Sequence, residues 1–342
     1  MNWFWQKRPA CRQGRIFLDY ASATPVLPEV RRVMEKYWSK DFYNPSAIYK
    51  EGVKVKKEID EYRIKIARIL GVAKEGIIFT SGGTEANTWA IRGIKNTHVI
   101  IDADSHPSVL DAAKGLNFSI RQTDRPLLIE GDITLISTVT TDNKIGRRVR
   151  EERKKSSIGF PLLHVDASQT AGYFNVGLEA LACDLLTLDA AKLYGPKGIG
   201  ALIVKRGVKL DLPPLGTPAV PLIAGFVKAL EIAVRDRALE CKRLDSLSVE
   251  FMELVQQSLP QALVTRSLPN VVHVLVPGIL PEFLVLALDR AGVLVSAGPA
   301  CNSNKPESSD TPVRFSFGRY TTFSEVKRAA EIFCEICRSV VK

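Results

Sequence analysis

Short apolar runs recur along this chain, and each stops at small, polar or charged residues. Ile77-Ile78-Phe79-Thr80, His98-Val99-Ile100-Ile101-Asp102, Ile133-Thr134-Leu135-Ile136-Ser137-Thr138, Phe160-Pro161-Leu162-Leu163-His164-Val165-Asp166 and Asp184-Leu185-Leu186-Thr187-Leu188 have the length and flanks of buried strands. Helical patterns cover Pro28 to Lys40, Gly52 to Leu70 and Arg147 to Lys155. Strands that alternate with helices predict an α/β fold around a mostly parallel sheet. Ligands of such sheets bind outside the carboxyl ends of the strands, so the residues just past each run are the ones to inspect.

Lys192 follows the last of these runs and precedes the tight turn Tyr194-Gly195-Pro196. A partly desolvated lysine in that position can lose its proton and attack a carbonyl, although a solvated surface lysine has the same sequence. Asp166 ends the preceding run, 26 residues earlier, about one crossover unit, so the two side chains can face each other across adjacent strand ends. A structural ion pair is one reading. The other is chemical: an acid for a pyridinium nitrogen and a lysine for a Schiff base are the two protein groups that pyridoxal phosphate requires.

Two more strand ends carry candidate chemistry. Ser81-Gly82-Gly83-Thr84-Glu85-Ala86-Asn87 turns from a strand into a helix, where small residues let backbone N–H groups approach an anion and Thr84 adds a hydroxyl. A plain connection would look similar; the spacing is neither a Walker A loop nor GxGxxG. His106 stands just past Asp102 on the same edge.

Composition narrows the class. The 342 residues are 46% hydrophobic and 25% charged, which suits a soluble globular chain of two domains. A net charge of +10 favours anionic ligands, but the basic residues are dispersed and do not interleave with aromatics, so a nucleic-acid groove is not expected. No run reaches membrane-spanning length and the N-terminus lacks a signal-peptide core, so a cytoplasmic protein is expected. Six scattered cysteines predict reduced thiols. Cys334 and Cys337 share one face of an amphipathic helix with no second Cys or His pair, which predicts core packing and no metal site.

Taken together, these segments resemble the cysteine desulfurases of the class V aminotransferase, fold-type I pyridoxal-phosphate family. The resemblance runs from about Phe17 to the C-terminus. It rests on Leu18-Asp19-Tyr20-Ala21-Ser22-Ala23-Thr24-Pro25, Asn44-Pro45-Ser46, Thr80-Ser81-Gly82-Gly83-Thr84-Glu85-Ala86-Asn87, His106-Pro107, Asn143-Lys144-Ile145-Gly146 and His164-Val165-Asp166-Ala167-Ser168-Gln169. It continues through Lys192-Leu193-Tyr194-Gly195-Pro196-Lys197-Gly198, Leu268-Pro269-Asn270, Ser296-Ala297-Gly298-Pro299-Ala300-Cys301 and Arg314-Phe315-Ser316-Phe317-Gly318-Arg319.

The resemblance implies a large cofactor domain over residues 16–225 and a smaller α+β domain made of 1–15 and 226–342. It implies that Lys192 forms the Schiff base and later shuttles the α-proton, that Asp166 bonds the pyridine nitrogen, and that Gln169 bonds the phenolic oxygen. His106 would stack on the ring; Gly83 and Thr84 would hold the phosphate, joined across a homodimer interface by Thr217. Asn143 would contact cofactor and substrate, and Arg314 would fork onto the substrate carboxylate. Cys301, in a loop rich in Gly, Pro, Ser and Asn, would take the sulfur of L-cysteine as a persulfide. The partner would then be a sulfur acceptor or an iron–sulfur scaffold protein, with L-alanine as product.

The chain also departs from that family's pattern. Asp189 and Ala191 stand where a serine and a histidine usually precede the lysine, which removes two donors. Asp189 would set a negative charge near a phosphate unless it points away or is neutralised. A Gly-rich segment before Gly216-Thr217 is missing, the stretch from Cys301 to Arg314 is short, and Tyr49 replaces a common histidine. These departures keep two alternatives open: another class V enzyme, either a lyase or an aminotransferase, and a degenerate desulfurase that binds a scaffold protein without catalysis.

Overall fold

The computed structural model describes residues 14–95, 98–122, 133–139, 143–155, 160–214, 216–298 and 311–340. In chain order, β1 (Ile16–Phe17), α1 (Pro28–Ser39), α2 (Lys50–Leu70), β2 (Ile77–Thr80), α3 (Gly83–Arg92), β3 (His98–Asp102), α4 (Pro107–Ala113) and β4 (Asn117–Arg121) come first. Then follow β5 (Leu135–Thr138), α5 (Asn143–Lys155), β6 (Leu162–Asp166), α6 (Leu178–Leu181), β7 (Leu185–Asp189), β8 (Gly200–Val204) and α7 (Val220–Ser258). The chain continues with β9 (Leu263–Leu268), β10 (Val271–Leu275), α8 (Pro281–Arg290), β11 (Val293–Leu294), β12 (Ser296–Ala297), β13 (Val313–Ser316) and α9 (Phe323–Val340).

The contacts divide the chain into two compact units, one of Val26–Arg235 and one of Met1–Pro25 with Asp236–Lys342, so the division falls within α7. The first unit holds a 7-stranded sheet in the order β2-β8-β7-β6-β5-β3-β4. β8 runs antiparallel to both neighbours and the other pairings are parallel, which is the mostly parallel α/β sheet that the apolar runs predict. Its central strands read as continuous apolar runs because helices cover them: Val99, Ile101, Leu135, Leu185 and Leu202 pack with Ala86, Ala90 and Ile91 of α3 and with Val109, Ala112 and Ala113 of α4. Alanines let these helices lie close to the sheet, and truncating fully buried Ile91 to alanine would cost about 2–5 kcal/mol.

This topology points the carboxyl ends of β2, β3, β5, β6 and β7 to one edge. Gly200 opens β8 there, in register with Thr80 on one side and Asp189 on the other. A Cβ on Gly200 would meet the Gly82 backbone at 2.8 Å and the Leu188 carbonyl oxygen at 2.6 Å. Only a bare backbone lets the β2–α3 turn cross so near the end of β7.

The second unit has a 4-stranded sheet, β12-β13-β10-β9, and the parallel pair β1-β11. Its core is aromatic: Phe251 lies 4.5 Å from Phe315 and 5.6 Å from Phe317 between ring centroids, and Phe315 lies 5.3 Å from Phe333. Cys334 and Cys337 are buried on α9, and burial raises both thiols, Cys337 to about 12, in keeping with a packing role. No helix among the described residues is long and apolar enough to cross a membrane.

Candidate active site

Asp166 is the last residue of β6, and its carboxylate is already well provided with donors. Oδ1 accepts from the Ser168 backbone N–H at 3.0 Å and from the Ser168 hydroxyl at 2.6 Å; Oδ2 accepts from Asn87 Nδ2 at 2.8 Å. A carboxylate offers about four acceptor sites, so one remains for an incoming N–H. On the neighbouring strand β7 the chain ends at Asp189 rather than at the lysine. A 3₁₀ turn, Ala190–Lys192, intervenes, with Asp189 capping it through Oδ1 to the Ala191 N–H at 2.9 Å. Lys192 is therefore carried on a short, capped turn and is half-buried. Tyr194, two residues on, has φ 59°, a backbone state costly for an aromatic residue and typical of functional turns.

His106 caps the N-terminus of α4 with its own ring: Nδ1 accepts the Ser108 backbone N–H at 3.0 Å. The Ser108 hydroxyl is 2.7 Å from the same nitrogen, and its oxygen accepts from Asn87 Nδ2 at 3.0 Å. Donation thus runs from Asn87 to Ser108 to His106, which leaves Nδ1 as the acceptor and puts the neutral ring's proton on Nε2. Burial holds the His106 pKa below its ordinary 6.5. Asp166, Asp189 and Asp111 pull it up and Lys192 pushes it down, but desolvation is the larger effect. These influences place His106, Asp166, Asp189 and Lys192 in one electrostatic neighbourhood.

One layer below the strand ends, His164 bridges three strands. Ser137 Oγ lies 2.9 Å from its Nδ1 and Thr187 Oγ1 lies 3.0 Å from its Nε2. The ring is completely buried and its pKa falls to about 4 because desolvation disfavours the cation. His164 precedes Asp166 by two residues and Thr187 precedes Asp189 by two, so this bridge lies on the same sheet face as both carboxylates.

The Gly82–Gly83 turn adopts a backbone state open only to glycine, with φ 152° and ψ −175° at Gly82. Gly82 offers no side chain to cap α3 and no described side chain takes its place, so the first N–H groups of the helix can face an anion. A Cβ on Gly83 would stand 3.1 Å from Ser168 Oγ and 3.4 Å from Asp189 Oδ2, which sets a carboxylate oxygen beside that seat.

The other expected residues are distributed as follows. Thr84 is exposed on the first turn of α3, Gln169 is half-buried in the turn after β6, Asn143 starts α5, and Thr217 is exposed ahead of α7. Arg314 lies on β13 in the second unit, 2% exposed, with one guanidinium nitrogen 2.7 Å from Asp19 Oδ1 and 2.7 Å from Ser22 Oγ; its Nε is buried without a partner among the described residues. Cys301 lies outside the described residues. Sequence reasoning missed Asn87, Ser108 and Ser168 as parts of the site, and Asp19 as the partner of Arg314. A signal existed for Asn87: a polar residue one position after Ala86 and three before Ala90, on the buried side of α3.

The donor set suits pyridoxal phosphate at three points: an amine on Lys192, an acceptor site left on Asp166, and bare backbone donors at a turn where Gly82 and Gly83 carry no Cβ. Among the described residues, Asp189 opposes it, with a carboxylate oxygen beside that bare turn.

Comparison with known proteins points the same way. The family model described as Aminotransferase class-V matches residues 16–215 and 215–329. The chain is 32% identical to Cysteine desulfurase IscS of Dictyoglomus turgidum over 93% of this chain and 93% of that protein. It is also 32% identical to Cysteine desulfurase IscS 1 of Archaeoglobus fulgidus, over 92% of this chain and 95% of that one. A solved structure of a NifS-like protein superposes with a TM-score of 0.83 at 26% identity, covering 95% of this chain and all of that chain.

Proposed function

Because this chain belongs to the class-V aminotransferase family and, within it, to the cysteine desulfurases, we propose that it holds pyridoxal phosphate at Lys192 and converts L-cysteine to L-alanine, with the sulfur passing to Cys301. The observation that carries this reading is the shared surroundings of Lys192, Asp166 and His106 at the carboxyl edge of one sheet.

In this reading Lys192, Asp166, Gln169, His106, Gly83, Thr84 and Asn143 hold the cofactor, with Thr217 contributed across a homodimer. The cofactor supplies an electron sink for the pair left at the substrate's Cα. Asp166 accepts the pyridine N–H on its remaining acceptor site, fixed in place by Ser168 and Asn87. Lys192 Nζ takes the Cα proton and returns one later. His106, neutral with its proton on Nε2, donates toward the substrate. Arg314, whose guanidinium is held by Asp19 and Ser22, is the residue that the family resemblance assigns to the substrate carboxylate.

The sulfur step belongs to Cys301. Its thiolate attacks the substrate Sγ, an S–S bond forms, the Cβ–Sγ bond breaks, and the electron pair stays with Cβ, which takes a proton to become the methyl group of alanine. The persulfide then passes its outer sulfur to an acceptor or iron–sulfur scaffold protein in the cytoplasm.

The test is to incubate cofactor-loaded protein with L-cysteine and a thiol reductant and to quantify alanine and sulfide. Equal amounts of both are expected, with Cys301→Ala abolishing both. Alanine formed at the same rate by Cys301→Ala would replace the desulfurase reading with a lyase that needs no acceptor thiol.

A further inference from the structure

Asp189 is the charged group of this site for which the proposed reaction has no use. Its Oδ1 is committed to the Ala191 N–H, while Oδ2 lies beside Gly83, 3.4 Å from where a Cβ would stand, with no hydrogen bond to it among the described residues. The same place receives the open N-terminus of α3 and the Ser168 hydroxyl, 3.1 Å from that Cβ position. Magnitudes decide what the seat prefers. A helix N-terminus contributes roughly half a positive charge, less than the full negative charge of a carboxylate. A phosphate monoester brings about −1.5 to −2 at pH 7.

We propose that Asp189 is a specificity-determining residue that makes the phosphate the weak point of cofactor hold, so that retention rests on Lys192 and Asp166. This inference depends on the cofactor reading above. Of the charged groups around Asp189, Lys192 is a cation, but in the cofactor reading its amine is the group that bonds the cofactor's aldehyde, not its phosphate; Asp166 adds a second carboxylate, burial holds the His106 pKa down, and Glu85 of α3 is committed to the Ser81 N–H at 2.6 Å. The chain should therefore gain little affinity from the phosphate of its cofactor.

A comparison of two ligands on three proteins tests this. The full chain, freed of cofactor, is titrated with pyridoxal phosphate and with pyridoxal, following absorbance, for the unmodified protein, Asp189→Asn and Asp189→Ser. Asparagine and serine both retain an acceptor for the Ala191 N–H, and thermal melts check that all three proteins are folded. Both variants should bind pyridoxal phosphate about tenfold or more tighter than the unmodified chain, and should bind pyridoxal within about twofold of it. Unchanged or weaker binding of pyridoxal phosphate by the variants, or an equal gain for both ligands, would overturn the proposal while leaving the cofactor reading intact. Failure of all three folded proteins to bind pyridoxal phosphate would instead overturn the cofactor reading, and this inference with it.

Discussion

Asp166 and Asp189 end adjacent strands of one sheet, on one edge and one face, yet the fold treats them differently. Asp166 receives three donors, two from Ser168 and one from Asn87, and Asn87 in turn links it through Ser108 to His106. Asp189 receives one, from the turn that it caps, and its second oxygen lies near the glycines of the β2–α3 turn. A strand end alone does not fix a carboxylate's direction. A donor set does, before any ligand arrives, which is what the proposed role of Asp166 requires.

The sharpest way to break this contrast is to remove each carboxylate in turn. Asp166→Ala should lower alanine formation from L-cysteine by on the order of 10² to 10³, whereas Asp189→Asn should change it by less than about threefold at saturating cofactor. Equal losses in steady-state turnover would mean that both carboxylates serve the reaction.

The layer beneath the two carboxylates gives the next effect. His164, bonded to Ser137 and Thr187, is neutral down to about pH 4 in the folded chain but takes a proton near 6.5 when unfolded. The unfolded state then binds more protons across that interval, so folding free energy falls as pH drops from 6.5 to 4, by about 3 kcal/mol. Urea unfolding at several pH values should show that slope, and His164→Gln should flatten it.

Asn87→Ala strips a donor from Asp166 and another from Ser108 inside the protein, and should destabilise the first unit by about 1–3 kcal/mol. An unchanged denaturation midpoint would show that the Asn87 bridge contributes nothing. Smallest is Ser108→Ala. The hydroxyl donates to the basic nitrogen of His106, so its loss should let the His106 pKa rise toward its ordinary value. The acid limb of kcat/KM should move up, while a downward move would assign the hydroxyl the opposite role.

Much of this contrast was legible before the fold was known. β3, β6 and β7 are covered on both faces, so they read as unbroken apolar runs, and the crossover spacing between Asp166 and Lys192 set those two at or just past the ends of neighbouring strands. β4 and β9 were not legible. Both are mostly exposed strands at sheet edges, Asn117–Arg121 and Leu263–Leu268, with polar residues where a buried strand would be apolar. The bonds of the site were hidden for another reason. Asn87 reaches Ser108 across 21 residues and Asp166 across 79, and Arg314 reaches Asp19 across 295. Local pattern carries no trace of such pairs. The sequence raised the danger of Asp189 beside a phosphate, but only the register of Gly200 between Thr80 and Asp189 shows why its carboxylate comes so near Gly83.

Whether Lys192 holds a cofactor on which L-cysteine reacts can be read from the visible absorbance spectrum of the cofactor-loaded chain before and after L-cysteine is added. A band is expected that Lys192→Ala lacks and that L-cysteine changes as alanine forms. Identical spectra for the unmodified chain and Lys192→Ala, or a band that L-cysteine leaves untouched, would contradict it.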